Sequence, residues 1–78
     1  MLYADGQEVR LGDLVDMGDG KGATTQVVAL VSTEESVEGM DAREWDYFHD
    51  GLVLRHIAGR HLIHLQAFTA EHHLVSRG

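Results

Sequence analysis

The chain has no cysteine and no proline, and its 78 residues carry only 6 Lys and Arg against 13 Asp and Glu. Without cysteine it has no disulfide, no thiolate metal ligand and no cysteine nucleophile. No apolar run approaches the roughly 18 residues that cross a membrane. The net charge of −7 is opposite in sign to what binding to a phosphate backbone needs. We therefore expect neither a membrane nor a nucleic acid as partner.

The length and composition are those of one small domain, predicted to cover residues 1–78. Apolar residues make up 44% and charged residues 24% of the chain, which is typical of a globular protein. A chain of this length buries only about 60% of its unfolded surface, so its core is small. The first six residues lack the charged and apolar regions of a signal peptide, so we expect a cytoplasmic protein.

The patterns of β-branched residues and turns predict a mainly β fold. An Asp-Gly pair centres a first hairpin, three glycines in five residues form a tight turn, and a continuous apolar strand follows. The predicted segments are a hairpin at 2–10, a turn at 18–22, strands at 24–32, 51–57 and 61–65, and a last strand at 72–77. We predict a small SH3-like barrel of five or six short strands, and a strand-rich open sheet is the alternative.

One short helical turn is predicted at residues 42–48, after an acidic loop at 33–41. Asp41 suits the N-cap position, with Glu44 three residues later. Trp45 and Phe48 are three residues apart and share one face of this turn. Gly51 is placed to end the segment.

Residues 9–15, with the glycine-rich turn and the valine-rich strand after it, resemble the strand–turn–strand of KOW-type barrels. In that pattern a Gly-Asp-x-Val sequence precedes a glycine and a strand rich in valine. The resemblance covers about a third of the chain and implies a nucleic-acid or ribosome-associated module.

A second resemblance extends over nearly the whole chain. Residues 3–6 (Tyr-Ala-Asp-Gly), 44–48 (Glu-Trp-Asp-Tyr-Phe), 51–54 (Gly-Leu-Val-Leu) and 62–64 (Leu-Ile-His) occur in the order found in a family of short uncharacterised bacterial proteins. That family is associated with toxin–immunity loci, so the resemblance implies an immunity protein.

Most of the negative charge lies in residues 34–50, which contain seven acidic residues and a single basic residue, Arg43. The stretch surrounds the aromatic side chains of Trp45, Tyr47 and Phe48, and we expect Tyr47, which faces away from Trp45, to be exposed. An acidic patch with an exposed aromatic steers and holds a basic protein. The predicted partner-binding residues are Glu35, Glu38, Asp46 and Tyr47. The alternative is a solubilising loop whose aromatic residues belong to the core.

The six histidines do not have the spacing of a metal site. His61 and His64 are three residues apart on a predicted strand and point to opposite faces, and the adjacent His72 and His73 diverge for the same reason. A zinc site would need three or four ligands from different strands. We therefore predict no metal and no cofactor. His64, flanked by apolar residues, is expected to be partly buried, and the others to make the surface charge respond to pH.

No arrangement of residues in the chain indicates catalysis. No serine lies in a nucleophile elbow, and paired carboxylates occur only in the acidic stretch. The sequence thus predicts a small acidic protein-binding module, an immunity protein or adaptor that restrains a basic partner. The alternatives are a KOW-like nucleic-acid or ribosome-associated module and a His-based metal-binding protein. Monomer and homodimer are equally expected, because a short open barrel leaves strand edges.

Overall fold

Six short strands and one 3₁₀ helix form the regular structure of the computed structural model, which describes residues 1–77. The strands are β1 (Leu14–Asp16), β2 (Ala23–Leu30), β3 (Glu35–Ser36), β4 (Leu52–His56), β5 (Leu62–Leu65) and β6 (His73–Ser76), and the 3₁₀ helix is Ala42–Phe48. The mainly β prediction and the helical turn at 42–48 are confirmed. Gly78, the last residue of the predicted domain, lies outside the described residues.

All strand pairs are antiparallel and belong to one sheet, in the order β5-β4-β2-β1-β6, with β3 paired to β2 beside this path. In the described part of the chain the end strands β5 and β6 do not pair with each other, so the sheet is not closed into a barrel. Register irregularities interrupt the pairing of β1 with β2, of β1 with β6 and of β2 with β4. Such bulges bend a strand and increase its twist.

The loop prediction for residues 33–41 is incomplete, because β3 lies within it. Ser36 pairs with Ala29 and Glu35 with Leu30. The sheet therefore continues for two residues after the turn that follows β2. The first predicted hairpin is present as a bridge between Leu2 and Glu8. No helix among residues 1–77 has the length and apolar character needed to cross a membrane.

The sheet has a core on both faces, and the bulge in β2 places two successive residues in the same apolar cluster. Val27 belongs to the larger apolar cluster, whereas Val28 and Ala29 belong to the smaller one. Strand β4 divides its side chains in the same way, by ordinary alternation: Leu54 packs in the larger cluster and Val53 in the smaller one. The 3₁₀ helix covers the smaller cluster, and the N-terminal hairpin and the segment before β6 cover the larger one.

A buried carboxylate connects the N-terminal hairpin to the end of β6. Asp13 is fully buried, and its Oδ2 accepts hydrogen bonds from the Tyr3 hydroxyl at 2.7 Å, the Arg10 amide at 2.9 Å and Arg77 Nη1 at 3.1 Å. Arg77 Nη1 also donates to the Glu8 carbonyl at 2.7 Å. Burial, and then the hydrogen bond to Asp13, raises the pKa of Tyr3. We call Asp13, Tyr3 and Arg77 the Asp13 clamp.

Candidate partner-binding groove

The 3₁₀ helix, which forms one wall of the candidate site, begins at a charged cap. Asp41 has an extended backbone, and its Oδ1 accepts from the Arg43 amide at 3.0 Å and from Arg43 Nε at 3.1 Å. The side-chain hydrogen bond from Arg43 lowers the pKa of the Asp41 carboxyl. The helix ends at Phe48, and His49 adopts a positive φ of 69° while its amide donates to the Asp46 carbonyl. The prediction that Gly51 ends this segment is therefore wrong.

Stacked rings fix the helix on the sheet. The rings of Trp45 and Phe48 are 6.0 Å apart, and Phe48 stacks on His64 of β5 at 3.7 Å. His64 Nε2 lies 3.1 Å from the Asp50 carbonyl, which can only accept, so this nitrogen carries the proton. Tyr47 is left 65% exposed at the outer side, as the sequence predicted.

A groove of about 380 Å³ separates the helix from the segment after β2. We call it the acidic groove. It is lined by Val31, Ser32, Glu34, Asp46, Tyr47 and His49. A buried valine at its base, two exposed carboxylates and an exposed aromatic ring suit a Lys or Arg side chain. The apolar stem of such a side chain would pack on the valine while its charge meets the carboxylates and the ring face.

Backbone strain coincides with this groove. Three non-glycine residues in the described chain have a positive φ: Glu34 at 55°, His49 at 69° and Arg60 at 59°. The left-handed conformation costs a non-glycine residue roughly 1–2 kcal/mol. Such strain concentrates at binding and catalytic sites. Two of the three residues, Glu34 and His49, line the acidic groove, which is a reason to assign a function to their side chains.

Two of the four predicted site residues, Asp46 and Tyr47, lie in the groove. Glu35 lies on β3, accepts a hydrogen bond from the Thr33 hydroxyl at 2.6 Å and faces a separate cleft. Glu38 is exposed in the turn between β3 and the helix and does not line the groove. The structure therefore divides the predicted patch.

Sequence reasoning missed Glu34 and His49. Nothing in a predicted acidic loop distinguishes Glu34 from Glu35, because only the pairing of β3 fixes which of the two faces the helix. His49 was missed because a histidine was not expected to take the left-handed position after the helix, where glycine is usual.

Comparisons with known protein families, with characterised proteins and with solved structures find no match to this chain. The resemblances to KOW-type barrels and to the short bacterial family stay predictions.

The histidine rings are distributed over several separate contacts. His61 stacks on His56 at 4.7 Å, whereas His64 stacks on Phe48, so His61 and His64 do not converge. His72 Nδ1 accepts from the Thr69 amide at 2.9 Å. Within residues 1–77 no group of three or more His, Asp or Glu side chains is arranged to hold a metal ion.

Proposed function

We propose that this protein is a small acidic binding module that holds a basic protein partner, as an immunity protein or an adaptor. The observation that carries the proposal is the acidic groove, which is lined by the carboxylates of Glu34 and Asp46 together with the exposed ring of Tyr47. A Lys or Arg side chain of the partner occupies the groove. The strained backbone at Glu34 and His49 supports this role, since glycine would relieve the strain but remove the side chains.

The charge of the whole chain supports the same proposal. The net charge is −7, and most of it comes from residues 34–50, which include the helix wall and carry seven acidic residues and one arginine. A field of one sign accelerates the approach of an oppositely charged partner and weakens as salt is added. The association rate should therefore fall with ionic strength, more steeply than the dissociation rate rises.

The proposal includes a cytoplasmic location, an SH3-like barrel architecture and binding without catalysis. Bulges bend strands and increase their twist, so the three register irregularities support the barrel part of the proposal. The polar side chains of the acidic groove are exposed, so a ligand there stays hydrated, which favours recognition of a side chain over chemistry on a buried substrate.

Two double variants with the same charge change test the proposal. Glu34→Gln with Asp46→Asn removes both groove carboxylates, and Glu35→Gln with Glu38→Gln removes two carboxylates outside the groove. Each protein, and the wild type, is immobilised and exposed to lysate of the source cell at physiological salt, and the affinity of the captured protein is then measured. We expect the groove variant to lose at least about tenfold in affinity and the outer variant to lose much less.

Equal losses in the two variants would show that only bulk charge matters, and no loss in either would remove the acidic groove from the interface.

Tyr47→Phe and Tyr47→Ala separate the ring from its hydroxyl. We expect the phenylalanine variant to bind nearly as well as the wild type and the alanine variant to bind several-fold more weakly, because the ring face attracts the cation.

A further inference from the structure

The β4–β5 hairpin brings two arginines to a second groove that the sequence did not indicate. Arg55 near the end of β4 and Arg60 in the turn line a space of about 240 Å³ together with Gln26 and Ile57. We call this space the arginine groove. It shares no lining residue with the acidic groove.

The sheet register explains how the arginine groove forms. Arg55 pairs with Gln26 of β2 on one side and with Leu62 of β5 on the other, and directly paired residues project from the same face. Arg55 is two residues after Val53 and so lies on the helix-covered face, beyond the reach of the helix. The apolar side chains of Ile57 and Leu62, which are 51% and 40% exposed, stand beside it.

The hydrogen-bonding capacity of the two guanidinium groups is almost unused. Arg55 is half-buried, and its one side-chain hydrogen bond to residues 1–77 runs from Nη2 to Gln26 Oε1 at 3.4 Å. A guanidinium has five N–H donors. The described ion pairs are Arg43 with Asp41 and Arg77 with Asp13, so neither arginine of the groove has a carboxylate partner in this part of the chain.

The backbone of Arg60 is also strained. Its φ is 59°, and its amide donates to the His56 carbonyl at 2.8 Å, which fixes the turn. Glycine would adopt this conformation without strain. Arg60 thus presents a cation at the arginine groove. The other two non-glycine residues with a positive φ, Glu34 and His49, present polar side chains at the acidic groove.

We propose that the arginine groove binds a carboxylate carried on an apolar stem. The guanidinium fork of Arg55 matches the two oxygens of a carboxylate, Arg60 adds a second charge at the rim, and Ile57 and Leu62 contact the stem. A carboxylate carries one negative charge, whereas a phosphate carries more than one at neutral pH and is repelled more strongly by a chain of net charge −7. The site is independent of the acidic groove and of the proposed basic partner.

Titration of the ¹⁵N-labelled protein with hexanoate, hexanamide and inorganic phosphate, followed by amide chemical shifts, tests this site. We expect hexanoate to produce saturable shifts in β4, β5 and the turn between them, and hexanamide and phosphate to bind at least tenfold more weakly. Equal binding of hexanamide would reduce the site to an apolar contact, and tighter binding of phosphate would overturn the assignment to a carboxylate.

Three variants locate the charge. Arg55→Gln and Arg60→Gly each remove one groove cation, and Arg60→Gly also relieves the backbone strain, so it keeps the test valid if Arg55→Gln folds poorly. Arg10→Gln removes the same charge from an exposed residue at a different cleft. We expect at least a tenfold loss of hexanoate affinity in each groove variant and none in Arg10→Gln. Equal affinities in all three variants would refute the site.

The source of the carboxylate is tested with peptides that end in leucine. One carries a free C-terminal carboxylate, and its match ends in an amide. Preferential binding of the free-acid peptide, tighter than that of hexanoate, would identify a polypeptide terminus as the ligand. Binding of hexanoate without binding of the peptide would identify a small free acid.

Discussion

At the residue scale, Gly51 is the position where the fold depends most directly on the absence of a side chain. Its φ is 90°, and a Cβ there would meet the Leu65 carbonyl oxygen and would lie 2.8 Å from His64 Nε2. The left-handed backbone and the crowding each cost roughly 1–3 kcal/mol. We expect Gly51→Ala to lower the free energy of unfolding by about 3 kcal/mol or more, measured by urea denaturation.

Gly6 provides the matched control for this prediction. Its φ is 91°, but a Cβ there would meet no atom within 4 Å. Gly6→Ala should therefore cost only about 1 kcal/mol, from the backbone conformation alone. Similar losses in the two variants would show that the contact with β5 does not restrict Gly51.

At the element scale, the 3₁₀ helix depends on its cap and its stacked rings. Seven residues are too few for a helix that is stable alone. We expect Asp41→Ala to lower the melting temperature and to increase the exposure of Trp45, observed as a red shift of its fluorescence. Asp41→Ser keeps a cap oxygen without the charge, and its melting temperature should fall between those of the alanine variant and the wild type.

The contribution of Asp41 depends on pH in a defined direction. Its carboxyl pKa is lowered in the folded state from the ordinary value of 3.8, first by the side-chain hydrogen bond from Arg43. The stabilisation is therefore fully present above this ordinary value and is lost as the pH falls through the lowered pKa. The stability difference between the wild type and Asp41→Ala should shrink over the same range. A difference that stays constant to lower pH would exclude the charge as its origin.

The elements that the sequence predicted are those with local signals. The helix at 42–48 follows from the cap at Asp41 and from two aromatic residues three apart, and strands β2, β4, β5 and β6 follow from their β-branched composition and turns. Strand β1 is indicated only by the KOW-type resemblance. Strand β3 could not be predicted, because its two residues are ordered by pairing with β2. The same holds for the grooves. The position of Glu34 depends on the pairing of β3 with β2, and the arginine groove depends on the pairing of Arg55 with Gln26, which is distant in sequence.

At the scale of the whole molecule, the Asp13 clamp sets an alkaline limit to stability. The pKa of Tyr3 is raised in the folded state, chiefly by burial, whereas in the unfolded chain the phenol ionises near its ordinary value of 10.0. The stability contributed by Tyr3 is therefore present below that value and decreases as the pH rises toward the raised pKa. We expect the free energy of unfolding to fall between about pH 10 and pH 11 by roughly 1 kcal/mol.

Tyrosinate absorbance in a Tyr47→Phe background checks this prediction, because Tyr3 is then the only tyrosine. Its ionisation should coincide with unfolding. Tyr3→Phe should abolish that alkaline component and cost about 1–3 kcal/mol at neutral pH, because a hydrogen bond to a buried carboxylate is lost. Ionisation of Tyr3 well before unfolding would contradict the burial of its hydroxyl.

The strand order also has a consequence for the kinetics of folding. Strands β1 and β2, and likewise β4 and β5, are neighbours in sequence and form hairpins with short loops, whereas β6 must pair with β1 from the other end of the chain. Closing the longest loop carries the largest entropic cost, so we expect the β1–β6 pairing to form after the transition state. Arg77 follows β6 and reaches Asp13 only once that pairing exists. Loss of the arginine should then accelerate unfolding and leave the rate of folding almost unchanged.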